Sequence, residues 1–316
     1  MTDRLSRTRT LPPRAILLAV VCTLLWGSAI PCVKISYALF QIRSAFDQIF
    51  FAGIRFFLAG IVTLLLAHRF SPAVQPLRAR RMVSFLGLGL VQTAGQYVFF
   101  YLGLSHTPGA RTAILNATST FFIVFLAAVF FREERLTPRK LLGCAVGFLG
   151  ILCMNLGGES GLPFSWNGDF FILMASAFFA LGSVLSKRLS RTDDAFRISG
   201  NQLLFGGGAL VLVGLVGGGR LAVVTPAGVA ILGYLVALSA IAFALWTRLM
   251  QRYEAASVSI YFFLLPVFGV AFSALLLGER VLSLRTLLAL LLVCGGIYLV
   301  NSVQNAPASG DTPSRS

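Results

Sequence analysis

A few side chains buried in long apolar runs could touch a polar solute. Gln92 and Gln96 lie four residues apart, with Gly89 and Gly103 on the same helical stripe, and Tyr97 and Tyr101 form the neighbouring stripe. Thr112, Asn116, Ser119 and Thr120 follow at steps of four, three and one. Elsewhere stand Trp26, the group Ser176, Ser183 and Lys187, the group Ser239, Phe243 and Trp246, and the pair Ser257 and Tyr261. Amides and hydroxyls donate and accept hydrogen bonds, and aromatic faces receive apolar groups or cations. That is the chemistry of binding. An intramembrane enzyme would need a nucleophile with its base or a set of metal ligands, and the sequence has no HExxH, GxSxG or paired carboxylates within its apolar runs.

Each of these residues also has a plainer reading. Ser, Thr and Gly glue helices together, as Gly143 and Gly147 would at a spacing of four. Gln96 and Asn116 favour a solute, because a large amide in hydrocarbon needs several partners. Trp26, Tyr97, Tyr101, Trp246 and Tyr261 are equally suited to a cavity wall and to the aromatic belts at the membrane surfaces.

Charge within the runs is sparse and therefore informative. Arg55 lies midway along one of them, where it must snorkel, pair or meet water. The favoured role is an anchor to loop carbonyls or a helix turn, and the alternative is to bind a substrate carboxylate. Lys34 is close enough to an end to snorkel outward. Pro31 should free a carbonyl and kink its helix. Asp47, Asp169, Glu254, Glu279, His68 and His106 all fall near the ends of runs. A proton-coupled carrier needs an intramembrane carboxylate or histidine as relay, so a facilitator or exchanger is expected unless Glu254 or His106 reaches the cavity. Amides, hydroxyls, aromatics and one Arg suit zwitterions, neutral metabolites or weak organic anions, and not polycations. The five cysteines lie inside apolar runs away from His or carboxylate, so they imply neither disulfide nor metal site, and no cofactor is called for.

These residues need elements to hold them. Of 316 residues 57% are hydrophobic and 12% charged, with a mean hydropathy of +0.85. A soluble domain carries about twice that charged fraction, so the chain reads as an integral, multi-pass membrane protein. The net charge of +15 sits in short clusters between apolar runs, without the basic stripe and stacking aromatics of a nucleic-acid binder. A helix needs roughly 20 apolar residues to cross the hydrocarbon core. Ten such stretches fall near 15–39, 46–67, 83–103, 110–131, 138–157, 168–187, 198–219, 226–248, 256–277 and 284–302. The first follows Arg4, Arg7, Arg9 and Arg14 without a clear cleavage site and reads as an uncleaved span. The polar tails, 1–14 and 303–316, are expected to be disordered. With both termini in the cytoplasm, 19 of the 26 Lys and Arg fall on the inner side, which fixes the expected orientation.

"REERLTPRKLLG" at 132–143 returns in relaxed form as "GERVLSLRTLLA" at 278–289. Glu133 pairs with Glu279 at an offset of 146, and without a gap so do Ala110 with Ala256, Phe122 with Phe268, Gly150 with Gly296 and Asn155 with Asn301. Five spans separate the copies. Five is odd, so the copies point in opposite directions across the membrane, as in alternating-access transporters that use one solution upside down at each surface. Residues 15–157 and 168–302 are then two five-helix repeats, with Glu133 and Glu279 holding equivalent turns.

With these residues in hand, the chain resembles the EamA family of the drug/metabolite transporter superfamily, from about Ala15 to Asn301. The marks are "LLWGSA" from Leu24, "GIRFFLAG" from Gly53, "YLGLSHTPGARTAIL" from Tyr101 and "PVFGVAFSALLLGERV" from Pro266. The resemblance implies an all-α fold of ten helices in two inverted bundles, and a central cavity with spans three, four and nine around it. It implies export or exchange of small metabolites such as amino acids, in the bacterial inner membrane. Trp26, Gln92, Gln96, Tyr97, Tyr101, Asn116, Ser119, Trp246 and Tyr261 are the cavity candidates. Pro31, Arg55, Glu133, Pro266 and Glu279 are candidates for structural or gating roles. Pro266 has Thr120 at the matching place in the first half, a departure that predicts a straighter helix there. Partners are a small-molecule substrate and the lipid bilayer, with a homodimer left open. A sugar-phosphate or nucleotide-sugar exchanger of the same superfamily is the rival; it predicts paired Lys or Arg deep in the second bundle, and spans eight to ten have none.

Overall fold

The structure, a computed structural model, describes residues 11–70, 79–130, 137–155 and 164–278, and within the last apolar run residues 284, 287, 288, 291, 292, 295, 296 and 299. Among the described residues all regular structure is helical. In order the α-helices are α1 (Pro13–Leu39), α2 (Ala45–Phe70), α3 (Ala79–Leu88), α4 (Gln96–His106), α5 (Gly109–Asn116), α6 (Ser119–Phe130), α7 (Pro138–Asn155), α8 (Phe171–Leu189), α9 (Ala195–Val216), α10 (Pro226–Arg252), α11 (Ala255–Ser259) and α12 (Leu264–Leu277). A π-helical stretch, Gly89–Gly95, joins α3 to α4 in one rod, and another, Trp166–Phe170, leads into α8. Seven rods are long and apolar enough to cross a membrane, and Ser119–Phe130 and Leu141–Gly150 are shorter apolar helices. The chain is an integral, multi-pass membrane protein. Glu133 and Glu279, and both tails apart from residues 11–14, lie outside the described residues.

Local sequence sets the helix ends. Asp194 caps α9 through the amides of Phe196 and Arg197, and Thr225 caps α10 through that of Gly228, with Pro226 next to it at the first helical position. α12 stops where Gly278 turns left-handed, at φ 67°. Pro31 sits inside α1, which runs unbroken through it, so the Gly27 carbonyl loses its usual amide donor.

The straighter helix expected at Thr120 is not found. The run breaks at Ala117–Thr118, between α5 and α6. Hydroxyls do what proline does elsewhere: Thr118 Oγ1 donates to Leu115 O at 2.6 Å and Ser119 Oγ to Asn116 O at 2.7 Å, taking up carbonyls at the break. Backbone bonds tighten there too, Thr120 N reaching Ala117 O at 3.1 Å. In the second half the matching run changes from α11 to a 3₁₀ turn, Ile260–Phe263, and then to α12. Pro266 lies in the first turn of α12, where a missing N–H costs little. Thr120 Oγ1 donates to Ser259 O at 3.0 Å and ties the two broken runs together.

The packing pairs the halves. α1 lies against α10 and α12, while α8 lies against α4 and α6. α10 lies against α2, while the Gly89–Gly95 stretch and α3 lie against α9. α2 and α9 pack directly on one another. Each contact thus has a counterpart with the halves exchanged. The α2–α9 seam is set by glycine at steps of seven: Gly53 and Gly60 on one helix, Gly200, Gly207 and Gly214 on the other. Gly53 faces Leu210–Val211, Gly207 faces Phe56–Phe57, Gly60 faces Leu204 and Gly200 faces Leu64, so the helices run antiparallel. A Cβ on Gly214 would come within 2.7 Å of Phe50 Cα, and one on Gly207 would run into the backbone of Phe57. Backbones this close gain dispersion contacts that lipid tails cannot supply. Gly143 and Gly147 also pack as expected, with Gly296 against them.

Candidate functional site

A cavity opens where the two halves meet. It is lined by Trp26, Ala29 and Ile30 of α1, Arg55 of α2, Gln96, Tyr97 and Phe100 of α4, Asn116 of α5, Phe179 of α8 and Phe262 of the 3₁₀ turn. It leaves about 30 Å³, room for a water or two.

Arg55 is both anchored and poised. It is 2% exposed. Its Nε donates to Ser239 Oγ at 3.0 Å and to Leu235 O at 3.3 Å, and its Nη1 donates to Tyr101 Oη at 3.0 Å. The anchor is therefore a turn of α10 and a tyrosine of α4, and not a loop. Its Nη2 has no hydrogen-bond partner among the described residues, and neither ion pair resolved there, Arg81–Asp193 at 3.2 Å and Arg111–Asp169 at 2.6 Å, involves it. Among the described residues no carboxylate or histidine lines the cavity. His106 is exposed, bonded within its own turn, and Glu254 stands at the start of α11.

The amides divide into two kinds. Gln92 Oε1 accepts from Ser186 Oγ at 2.9 Å, so Gln92 clamps the Gly89–Gly95 stretch to α8, where Gly182 lies under its side chain. Gln96 lies one turn further along and faces the cavity, its Oε1 buried without a partner. Asn116 Oδ1 lies 3.2 Å from Ser176 Oγ, whose single hydrogen is shared with Ile172 O at 2.9 Å, while Asn116 Nδ2 has no partner among the described residues. Around them stands a cluster of rings. Trp26 meets Phe179, Phe243, Trp246 and Phe262 at centroid distances of 5.5, 5.6, 5.3 and 5.4 Å. The first three are edge-on, an arrangement favoured by the ring quadrupoles, and the fourth is tilted at 54°.

Of the cavity candidates, Trp26, Gln96, Tyr97 and Asn116 come together on the lining, joined by Arg55. Gln92, Tyr101, Ser119, Trp246 and Tyr261 stand behind it. Tyr101 receives Arg55, Ser119 bonds the Asn116 carbonyl, and Trp246 Nε1 donates to Ser183 Oγ at 3.3 Å. Tyr261 is buried in the 3₁₀ turn. All five aromatic candidates are buried, so none is a belt residue. Trp166 and Phe164, 70% and 50% exposed at a helix end, fit that description instead. Phe100, Phe179 and Phe262 are lining residues that polar spacing could not find. A signal existed. Phe262 is the partner of Asn116 at the offset of 146, and Phe179 is the partner of Trp26 at the offset of 153 that also relates Lys34 to Lys187.

Comparison with known proteins agrees with this architecture. The EamA-like transporter family matches residues 13–156 and again residues 166–302. A probable amino-acid metabolite efflux pump of Salmonella typhimurium is 23% identical over 298 residues, 89% of this chain and 93% of that protein. A protein of the same description from Escherichia coli K12 is 25% identical, over 88% of this chain and 92% of its own. The uncharacterized inner membrane transporter YedA of Escherichia coli K12 is 27% identical, over 87% and 89%. One solved crystal structure shares the fold with a TM-score of 0.75 at 18% identity, covering 93% of this chain and 98% of that one. Family match, helical architecture and the duplicated match lead to one conclusion: this chain belongs to the EamA-like transporter family.

Proposed function

We propose that the chain is a secondary carrier that exports or exchanges small zwitterionic or neutral metabolites, amino acids or close relatives, by alternating access. Its ten spans form two inverted five-helix repeats, 15–157 and 168–302, in a bacterial inner membrane, and both polar tails are cytoplasmic. The observation that carries this reading is the cavity itself. It lies between the halves and draws matching positions from both, Trp26 with Phe179 and Asn116 with Phe262, as expected when a substrate binds on the axis relating two repeats. The exchanged packing of α1 and α8 supports it, as do the Lys/Arg bias and the efflux descriptions of the relatives. Space for only a water or two fits an occluded conformation that must open to load. A lining with a single cation and no carboxylate or histidine favours facilitated diffusion or exchange over proton coupling, and also disfavours a sugar-phosphate substrate, which needs paired cations.

The test is counterflow in proteoliposomes. Purified protein preloaded with each of the twenty amino acids should accelerate uptake of the same labelled compound from outside. A panel without acceleration above protein-free liposomes would end the amino-acid reading.

A further inference from the structure

Resting on that carrier reading, we propose that the cavity selects its substrate through a carboxylate, held by Arg55 together with the side chains of Asn116 and Tyr97. Arg55 is a buried cation without a carboxylate partner among the described residues. Nε and Nη1 are committed to Ser239, Leu235 and Tyr101, which fixes the plane of the guanidinium and leaves Nη2 unbonded on a residue that lines the cavity. Two more donors on the same lining are free: Asn116 Nδ2, whose Oδ1 is already engaged by Ser176, and the Tyr97 hydroxyl, which makes no hydrogen bond among the described residues. A positive charge and neutral donors, in a wall without carboxylates, match an oxyanion. The same lining also offers partners for an amine or side chain. Gln96 Oε1 is a buried acceptor without a partner, and the faces of Trp26, Phe179 and Phe262 can receive an ammonium or an apolar side chain. The proposed assignment is carboxylate to Arg55, and amine or side chain to Gln96 and the rings.

Arg55 has its hydrogen bonds and the face of Phe56, 4.7 Å from its Cζ, but no counter-charge among the described residues, which an arriving carboxylate would supply. An amide or an amine of the same skeleton does not. Discrimination by a site built for one polar group is large, because the wrong ligand leaves buried donors unpaired.

The experiment compares, in proteoliposome counterflow, each amino acid that is moved with its primary amide and its decarboxylated amine. Acids should be carried, with amides and amines weaker by roughly 10- to 100-fold in KM. Asn116→Asp keeps the acceptor that Ser176 uses while placing a negative charge on the lining. It should raise KM for the acid by at least about tenfold with little change in melting temperature. Arg55→Gln should abolish acid transport, and Asn116→Asp stands in for it should Arg55→Gln not fold. Equal KM values for acid, amide and amine, or an unchanged KM in folded Asn116→Asp, would overturn the assignment. A wild type that carries nothing in the panel overturns the amino-acid reading alone. Melting of the detergent-purified protein with sodium acetate or ethylammonium chloride then decides the site. Stabilisation by acetate that is lost in Asn116→Asp supports it, and indistinguishable curves sink it.

Discussion

Phe179 stands edge-on to Trp26, with centroids 5.5 Å apart and planes at 86°, and the two hold equivalent positions in the two halves of the chain. Their contact lies where the halves meet, and Phe243, Trp246 and Phe262 surround the same indole. An aromatic knot there closes the cavity by dispersion and quadrupole contacts, which can break and re-form without burying a charge.

Trp26→Ala should therefore remove the common partner of four rings. Loss of a buried Trp costs about 3–5 kcal/mol, and a lower melting temperature should accompany loss of counterflow. Trp26→Phe, which keeps a ring against Phe179, should restore most of the melting temperature.

Gln92→Ala and Gln96→Ala should separate structure from binding. Gln92 is bonded to Ser186, so its loss leaves a hydroxyl unpaired and lowers stability by about 1–3 kcal/mol with KM unchanged. Gln96 Oε1 has no partner among the described residues, so removal of the side chain should raise KM at nearly unchanged melting temperature. Melting curves and counterflow on one preparation of each variant check both.

The ion pairs should differ. Asp169 is 2% exposed and accepts from Arg111 at 2.6 Å and from the Ser165 amide at 3.0 Å. Asp169→Asn removes the charge from the buried side of a part-buried pair and should lower the melting temperature clearly. Arg81 is 29% exposed in its pair with Asp193. Asp193→Asn should cost less, and the loss should shrink as salt is raised. Thermal melts of both variants at low and high salt make the comparison.

Orientation is tested with single cysteines in a cysteine-free background at Arg135 and Ser283. Impermeant maleimide should label them from opposite sides of the membrane. Labelling of both from one side would end the inverted-repeat proposal.

The length of most rods was legible because apolar runs of that length have few other uses. The run placed at 46–67 is α2 at Ala45–Phe70, and that at 226–248 is α10 at Pro226–Arg252. Polar stripes found Gln96, Tyr97 and Asn116. They could not separate Gln96 from Gln92, because the π-helical stretch between α3 and α4 shifts the register on which a four-residue stripe depends. The break at Ala117–Thr118 was missed because it is made by hydroxyls and not by proline. The sequence favours an anchor role for Arg55; which of its nitrogens remains free depends on what α10 and Tyr101 occupy, and only tertiary geometry reveals that.

Gly207 and Gly208 look alike in sequence and differ in the fold. A Cβ at Gly207 meets the backbone of Phe57, whereas one at Gly208 finds only the Phe57 ring, at 3.7 Å. Gly207→Leu should abolish a monodisperse peak in size-exclusion chromatography, and Gly208→Ala should leave it intact.

The glycine seam has a consequence for how charge behaves in the membrane field. α2 and α9 come from different halves and touch backbone to backbone at several levels, so they form a stiff pivot with little freedom to slide. Arg55 rides on that pivot. If the proposed alternating access turns about this seam, the charge of Arg55 should travel little through the transmembrane voltage, and mid-membrane gating current should be small. Voltage should act on the carrier through the net charge of the bound solute, about 2.3 kcal/mol per elementary charge moved through 100 mV, and so hardly at all on a zwitterion.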